Sequence, residues 1–123
     1  MGILLNLSGH PAPKGAETAF EAVVDIPVPN VDLGSAAAVA EAAKDLIKKA
    51  LASEAREAVL RGEVAVILPG ATALAAPVLA ALVGVSGVFP KLYWAVKGPE
   101  GFSLSEGLEL QVIRLEARAL RES

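Results

Sequence analysis

VAVILPGATALAAPVLAALVGVSGVFP, residues 64–90, holds 27 consecutive positions without one Asp, Glu, Lys or Arg. An apolar run longer than about 18 residues is a candidate membrane span, so the choice between a span and a soluble domain turns on these residues. Pro69-Gly70, Pro77, Gly84 and Gly87 interrupt it, and Ala supplies much of its bulk. Pro69-Gly70-Ala71-Thr72 is a turn signal a quarter of the way along. It divides the run into a short buried strand over 64–68 and an alanine-rich helix from Thr72 to about Val83. Thr72 is the expected cap, and Pro77 is admissible only near the first turn or at a kink. A loop with two glycines follows over 84–90. The run therefore predicts part of a soluble α/β domain with a very apolar core, not a span.

Working toward the N-terminus, Glu54 to Arg61 reads as a short helix stopped by Gly62. Before it, Ser35 is a good N-cap for a helix from Ala36. Val39, Ala43, Leu46, Ile47, Ala50 and Leu51 fall on one face of that helix, with Glu41, Lys44, Asp45, Lys48 and Lys49 outside. Ala22-Val23-Val24-Asp25-Ile26 is a strand closed by Pro27-Val28-Pro29-Asn30, and Glu17 to Glu21 allows a brief helical turn. Ile3-Leu4-Leu5-Asn6-Leu7 is a buried first strand ended by Ser8-Gly9-His10-Pro11. Toward the C-terminus, residues 92–96 predict a fourth strand. Residues 108–115 alternate apolar and polar for part of their length and predict a wet edge strand. Gly98-Pro99-Glu100-Gly101 between them suggests an antiparallel hairpin, and the charged tail from Glu116 a helical or frayed end. The sum is one α/β domain over 1–123: a small Rossmann-like unit, its sheet mostly parallel, helices on both faces, and a C-terminal antiparallel hairpin.

The chain has 123 residues, a net charge of −3, a pI near 5.1 and no cysteine. The missing cysteines exclude disulfides, a thiolate nucleophile and Cys-ligated metals. The acidic balance excludes a broad grip on duplex nucleic acid, which needs a basic face. It leaves room for a small anion in one local pocket. The apolar start meets Asn6 and Ser8 before a secretory core can form, so a cytoplasmic location is expected, with no membrane partner.

In a mostly parallel sheet, ligands sit beyond the carboxyl ends of the strands. That directs attention to the loops at 8–15, 27–35 and 69–72. Ser8-Gly9-His10-Pro11 with Lys14 groups a hydroxyl, a bare backbone amide, the only histidine and a cation, which are parts that surround a phosphate. The plainer alternative is a Gly-Pro loop whose Ser and His satisfy local backbone groups. Gly70 allows close approach, and the free amides after Pro69-Gly70-Ala71-Thr72 favour an anion, although neither a P-loop lysine nor G-x-G-x-x-G is present. A lone histidine cannot serve as both general acid and general base. Asp25 and Asp32 are too isolated for a metal site, and no metal or cofactor is expected. Lys44, Lys48 and Lys49 read as a solvated helix face, and Phe89, Tyr93 and Trp94 as core or subunit contacts.

Leu5-Asn6-Leu7-Ser8-Gly9-His10-Pro11, Pro69-Gly70-Ala71-Thr72 and Gly84-Val85-Ser86-Gly87-Val88-Phe89-Pro90 together resemble one family. It is the small type III CRISPR-accessory family proposed to act on cyclic oligoadenylate messengers as ring nucleases. The resemblance runs from the first strand to about Leu92. In this sequence Gly9 is inserted before His10, Val83 and Val85 stand where the family pattern carries a His and an Arg, and Thr72 stands where it tends to have Asn. The resemblance implies a compact, CARF-like, Rossmann-like domain that binds a cyclic tetra-adenylate ring, as a homodimer or higher homo-oligomer. It implies a ligand site at Asn6, Ser8, Gly9, His10, Pro11, Lys14, Pro69, Gly70, Ala71 and Thr72. If the ring is cut, the implied step is metal-independent attack of a ribose 2′-hydroxyl on the adjacent phosphate, assisted by Lys14 and His10. The missing His and Arg favour sequestration of the messenger over cleavage. A second reading is a non-catalytic structural or interaction subunit, motivated by 54% hydrophobic residues in so short a chain. A third, a sugar-phosphate or nucleotide enzyme of metabolism, lacks a second acid, base or metal cluster.

Overall fold

The computed structural model describes residues 2–122. Four short strands, β1 (Ile3–Asn6), β2 (Ala22–Asp25), β3 (Ala65–Ile67) and β4 (Lys91–Tyr93), run parallel. A two-residue strand, β7 (Leu108–Glu109), closes the sheet antiparallel to β4, giving the order β2-β1-β3-β4-β7. Two further strands, β5 (Ala95–Gly98) and β6 (Gly101–Leu104), form a separate antiparallel hairpin. The α/β class and the mostly parallel sheet expected from the sequence are present; an antiparallel hairpin does turn at residues 98–101, but it joins β5 to β6, while the expected partners over 92–96 and 108–115 meet as β4 and β7 within the main sheet.

Register divides the side chains between the two faces, because successive residues of a strand point to opposite sides. Leu5 lies level with Val24 and with Val66, and Val66 with Leu92. Leu5, Val24 and Val66 are buried under α2 (Ala36–Leu51), α3 (Arg56–Arg61) and α4 (Thr72–Ser86). The opposite face carries Leu4, Ala65, Ile67 and Tyr93, covered by the one-turn α1 (Ala16–Ala19), Phe20 and Leu104 of the hairpin. The expected cover of helices on both faces is thus uneven: three helices on one side, a single turn and a hairpin on the other. Phe20 meets the Tyr93 ring edge-on at 5.2 Å between centroids.

α2 begins where Ser35, in extended conformation, accepts the Ala38 N–H on Oγ at 3.1 Å. Val39, Ala42, Ala43, Leu46, Ile47 and Ala50 are its buried face. Lys44 and Lys49 pair with Glu41 and Asp45 on the wet side. α3 ends at Gly62 with φ 69°, and a Cβ there would collide with Cγ2 of Val88, so only glycine fits this close crossing.

Four sequence expectations are corrected. Thr72 does not cap α4: Ala71 is the cap residue, and its carbonyl accepts both Leu74 N–H and Ala75 N–H, so Thr72 is already helical. The helix passes through Pro77 and Gly84 to Ser86 and stops at Gly87, φ 82°. Burial of Leu74, Val78 and Leu82 outweighs the cost of about 1 kcal/mol for an interior glycine. The strand over 92–96 is broken at Trp94. Its N–H donates to Ser105 Oγ and its carbonyl accepts from Ser105 N–H, which turns the chain out of the sheet and into the hairpin. Residues 108–115 give only β7 before α5 (Leu110–Arg118) and a 3-10 turn over Ala119–Glu122. The adjacent Val112 and Ile113 break period two, and no residue of α5 is buried. No helix of the described residues is long and apolar enough to cross a membrane.

Candidate functional site

Parallel pairing places Asn6 between Asp25 and Ile67, since Asn6 is level with both in register at the carboxyl ends of the strands. Asn6 is 2% exposed and makes four hydrogen bonds. Its Nδ2 donates to Asp25 Oδ1 and to the His10 carbonyl, both at 2.8 Å. Its Oδ1 accepts the Ser8 N–H at 3.1 Å and the Ser8 hydroxyl at 2.7 Å. An amide side chain has two donors and two acceptor positions, so Asn6 is fully used. With its proton committed to Asn6, Ser8 Oγ accepts the His10 N–H at 3.1 Å. Gly9 closes this tight turn with φ 80°, a left-handed conformation that costs a side-chain-bearing residue about 1–2 kcal/mol.

Asn6 therefore organises the loop 8–10 from beneath, and Asp25 holds Asn6. His10 itself is exposed, and its imidazole has no hydrogen-bond partner among the described residues. Ser8 and His10 stand as a ridge between two clefts. On one side a cavity of about 270 Å³ is bounded by Asn30, Pro69, Gly70, Ala71 and Leu74. The three loops expected to converge do so here. On the other side a cavity of about 510 Å³ is bounded by Pro11, Pro13, Lys14, Ile67, Ala95 and Phe102. Lys14 and the 69–72 turn, grouped together in the sequence reading, are thus placed on opposite sides of the ridge. Thr72 is exposed and borders neither cleft, and Gly9 shapes the ridge without lining either.

The larger cleft owes one wall to the hairpin. Lys14 N–H donates to the Phe102 carbonyl at 3.1 Å, and Leu104 N–H donates to the Lys14 carbonyl at 2.8 Å, so β6 pairs with the loop itself. The Lys14 ammonium lies 3.9 Å from the Glu100 carboxylate in open solvent, a pair worth little. Ala95 and Phe102 were not singled out in the sequence. The available signal was Phe102 and Leu104 alternating after the Gly98-Pro99-Glu100-Gly101 turn, which places both on one face of a strand.

Of the aromatics expected as core or subunit contacts, Tyr93 is buried, Phe89 half-buried and Trp94 exposed. Asp32 accepts the Gly34 N–H and so serves its own turn. Away from the clefts, the Tyr93 hydroxyl and then the Glu109 carboxylate hold the Lys91 ammonium above its ordinary pKa. Among the described residues, no three His, Asp or Glu side chains come together in a way that could hold a metal ion. Comparison with family models, with curated protein sequences and with solved structures gives no match.

Proposed function

We propose that this chain is a CARF-like, Rossmann-like domain of type III CRISPR defence that binds a cyclic oligoadenylate, cyclic tetra-adenylate first of all, and lowers its free level. The observation that carries the reading is the ridge of Ser8 and His10, fixed by buried Asn6, between two clefts at the carboxyl edge of the sheet. A ring of several nucleotides needs adjacent subsites around a rigid polar element, and the ridge supplies one. The uncapped start of α4 lines the smaller cleft and favours an anion. Cytoplasmic residence fits such a messenger. A symmetric ring also suits a two-fold homodimer presenting each loop twice.

Sequestration is the favoured mode. The side chains beside the ridge that could act on a phosphate are His10 and Lys14, and both are exposed rather than locked on a common target. If the ring is cut, these two would orient the phosphate and stabilise its charge while a ribose 2′-hydroxyl attacks in line. Incubating the pure protein with labelled cyclic tetra-adenylate, then resolving native and denaturing gels, separates the outcomes. A shift without product is expected, and neither shift nor product refutes the proposal. His10→Ala and Lys14→Ala should weaken binding with unchanged melting temperature.

A second reading, a subunit of an oligomeric assembly, draws on α5, where Val112, Ile113 and Leu115 are all exposed. Light scattering during gel filtration tests it: a monomer at tens of micromolar would remove it.

A further inference from the structure

The larger cleft has a chemistry of its own. Pro11, Pro13, Ile67 and Ala95 make it apolar, and Phe102 forms one wall while remaining 56% exposed. A phenylalanine is normally among the more buried residue types. Here hairpin register, not core packing, sets its position: the Phe102 carbonyl is held by Lys14 N–H, and the side chain lines the cavity without a ring partner among the described residues. Directly across the hairpin from Phe102 stands Lys97, on the same face of the strand pair. The Lys97 ammonium makes no hydrogen bond or ion pair among the described residues. A planar apolar ring stacked on Phe102 would thus lie beside one free cation, Lys97, with Lys14 bordering the cleft from the loop side. At about 510 Å³ the cavity falls within the range of about 300–1,000 Å³ typical of small-molecule sites.

We infer that the cleft between the 8–14 loop and the β5–β6 hairpin is a nucleobase site. It takes a purine nucleotide unit with the base stacked on Phe102 and the phosphate directed to Lys97. The inference deepens the proposed function, on which its assignment to one unit of an adenylate ring rests. It also makes Phe102 an affinity-determining residue outside every segment that carries the family resemblance. Stacking on an aromatic side chain needs only a π-face, so affinity here comes from the ring and orientation from the cation.

The test uses the full chain and 2-aminopurine riboside 5′-monophosphate, whose fluorescence falls on stacking. Saturable quenching is expected, reversed by adenosine 5′-monophosphate and by cyclic tetra-adenylate but not by ribose 5-phosphate. Phe102→Ala should weaken binding about tenfold or more, and Phe102→Trp should retain it. Lys97→Met should weaken it less, with the difference shrinking at high salt. Ala95→Leu, which fills the cleft from the neighbouring strand of the same hairpin wall, should block binding while leaving Phe102 in place, and circular dichroism verifies the fold of each variant. Absence of saturable quenching overturns the inference, as does equal affinity in Phe102→Ala and wild type. Reversal by ribose 5-phosphate also overturns it, because the phosphate alone would then be the ligand. Quenching that depends on Phe102 but resists cyclic tetra-adenylate supports the base site and refutes the ring as ligand. A gel shift with cyclic tetra-adenylate that is identical in Phe102→Ala keeps the ring and removes the base site.

Discussion

Replacing Asn6 by Ala removes four hydrogen bonds at one buried position. The ordinary net worth of such a bond is about 1 kcal/mol, and about 1.5–3 when one partner is charged, as Asp25 is. A direct sum overstates the loss, because Asp25 and His10 are exposed and Ser8 is half-exposed, so water can replace part of what Asn6 supplied. The net cost expected is about 2–3 kcal/mol. Unfolding entropy of about 2.1 cal/mol/K per residue over this chain converts that to a fall of about 8–12 °C in melting temperature. The same variant should lose amide protection at Ser8 and His10, whose N–H groups donate to Asn6 Oδ1 and Ser8 Oγ.

Asn6→Asp sharpens the test through pH. A carboxylate at position 6 can no longer donate to Asp25 Oδ1 and instead faces a like charge across the strand pair. At pH 7 the variant should be at least as unstable as Asn6→Ala. The proximity of two carboxylates raises the pKa of the pair, so the folded state binds a proton more tightly than the unfolded chain. Stability relative to wild type should then recover as pH falls below that raised pKa, toward about pH 4, where one shared proton restores the donor. Thermal melts at pH 7 and pH 4.5 read both effects. A wild-type melting temperature for Asn6→Ala, with Ser8 and His10 still protected, would refute the view that Asn6 shapes the ridge.

Two further outcomes concern the scaffold. Gly62→Ala places a Cβ against Val88 Cγ2 at a left-handed φ, so a loss of about 2 kcal/mol is expected, partly relieved by Val88→Ala in a double-mutant cycle. Simple additivity in chemical denaturation would show that the two do not meet. Leu46, 0% exposed on the buried face of α2, should cost about 2–5 kcal/mol on truncation to Ala, read as a lower urea midpoint with unchanged slope.

What was legible in the sequence was local. Ser35, Gly62 and the period of Val39, Leu46 and Ala50 fixed α2 and α3 nearly to the residue, because caps and faces depend on neighbours a turn away. The first three strands were legible as apolar runs between Gly and Pro punctuation. The failures came where distant contacts decide. Gly84 looked like a stop, but Leu82 has a core to bury itself in, and the left-handed turn is made at Gly87 instead. Nothing near Trp94 marks the end of β4, since its partner is Ser105. Residues 108–110 alternate as a strand does, whereas the adjacent Val112 and Ile113 fit the face of the helix that forms there.

The site divides along the same line. Ser8, His10 and Lys14 were visible as chemistry-bearing residues after a strand. The role of Asn6 was not, because it arises from parallel pairing that sets Asp25 and Asn6 side by side. The alternation of Phe102 with Leu104 marks a strand face but not its place in the site, since only the docking of the hairpin on Lys14 brings Phe102 to the loop.

Two clefts that share one ridge constrain how any ligand reports its size. A nucleotide confined to the larger cleft touches Phe102 and the ridge, and is indifferent to Asn30 and Gly70 on the far side. A ring spanning both must depend on all of them, with losses at the two ends that are nearly additive because the ends share no partner. His10→Ala should impair either ligand, Phe102→Ala the larger cleft alone, and a bulky residue at Gly70 the smaller alone. Cyclic tetra-adenylate losing affinity to both end variants while a mononucleotide loses it to one would place the ring across the ridge. Sensitivity of the ring to Phe102→Ala alone would confine it to a single base in a single cleft, and the polar loop fixed by Asn6 would then be a wall and not a pivot.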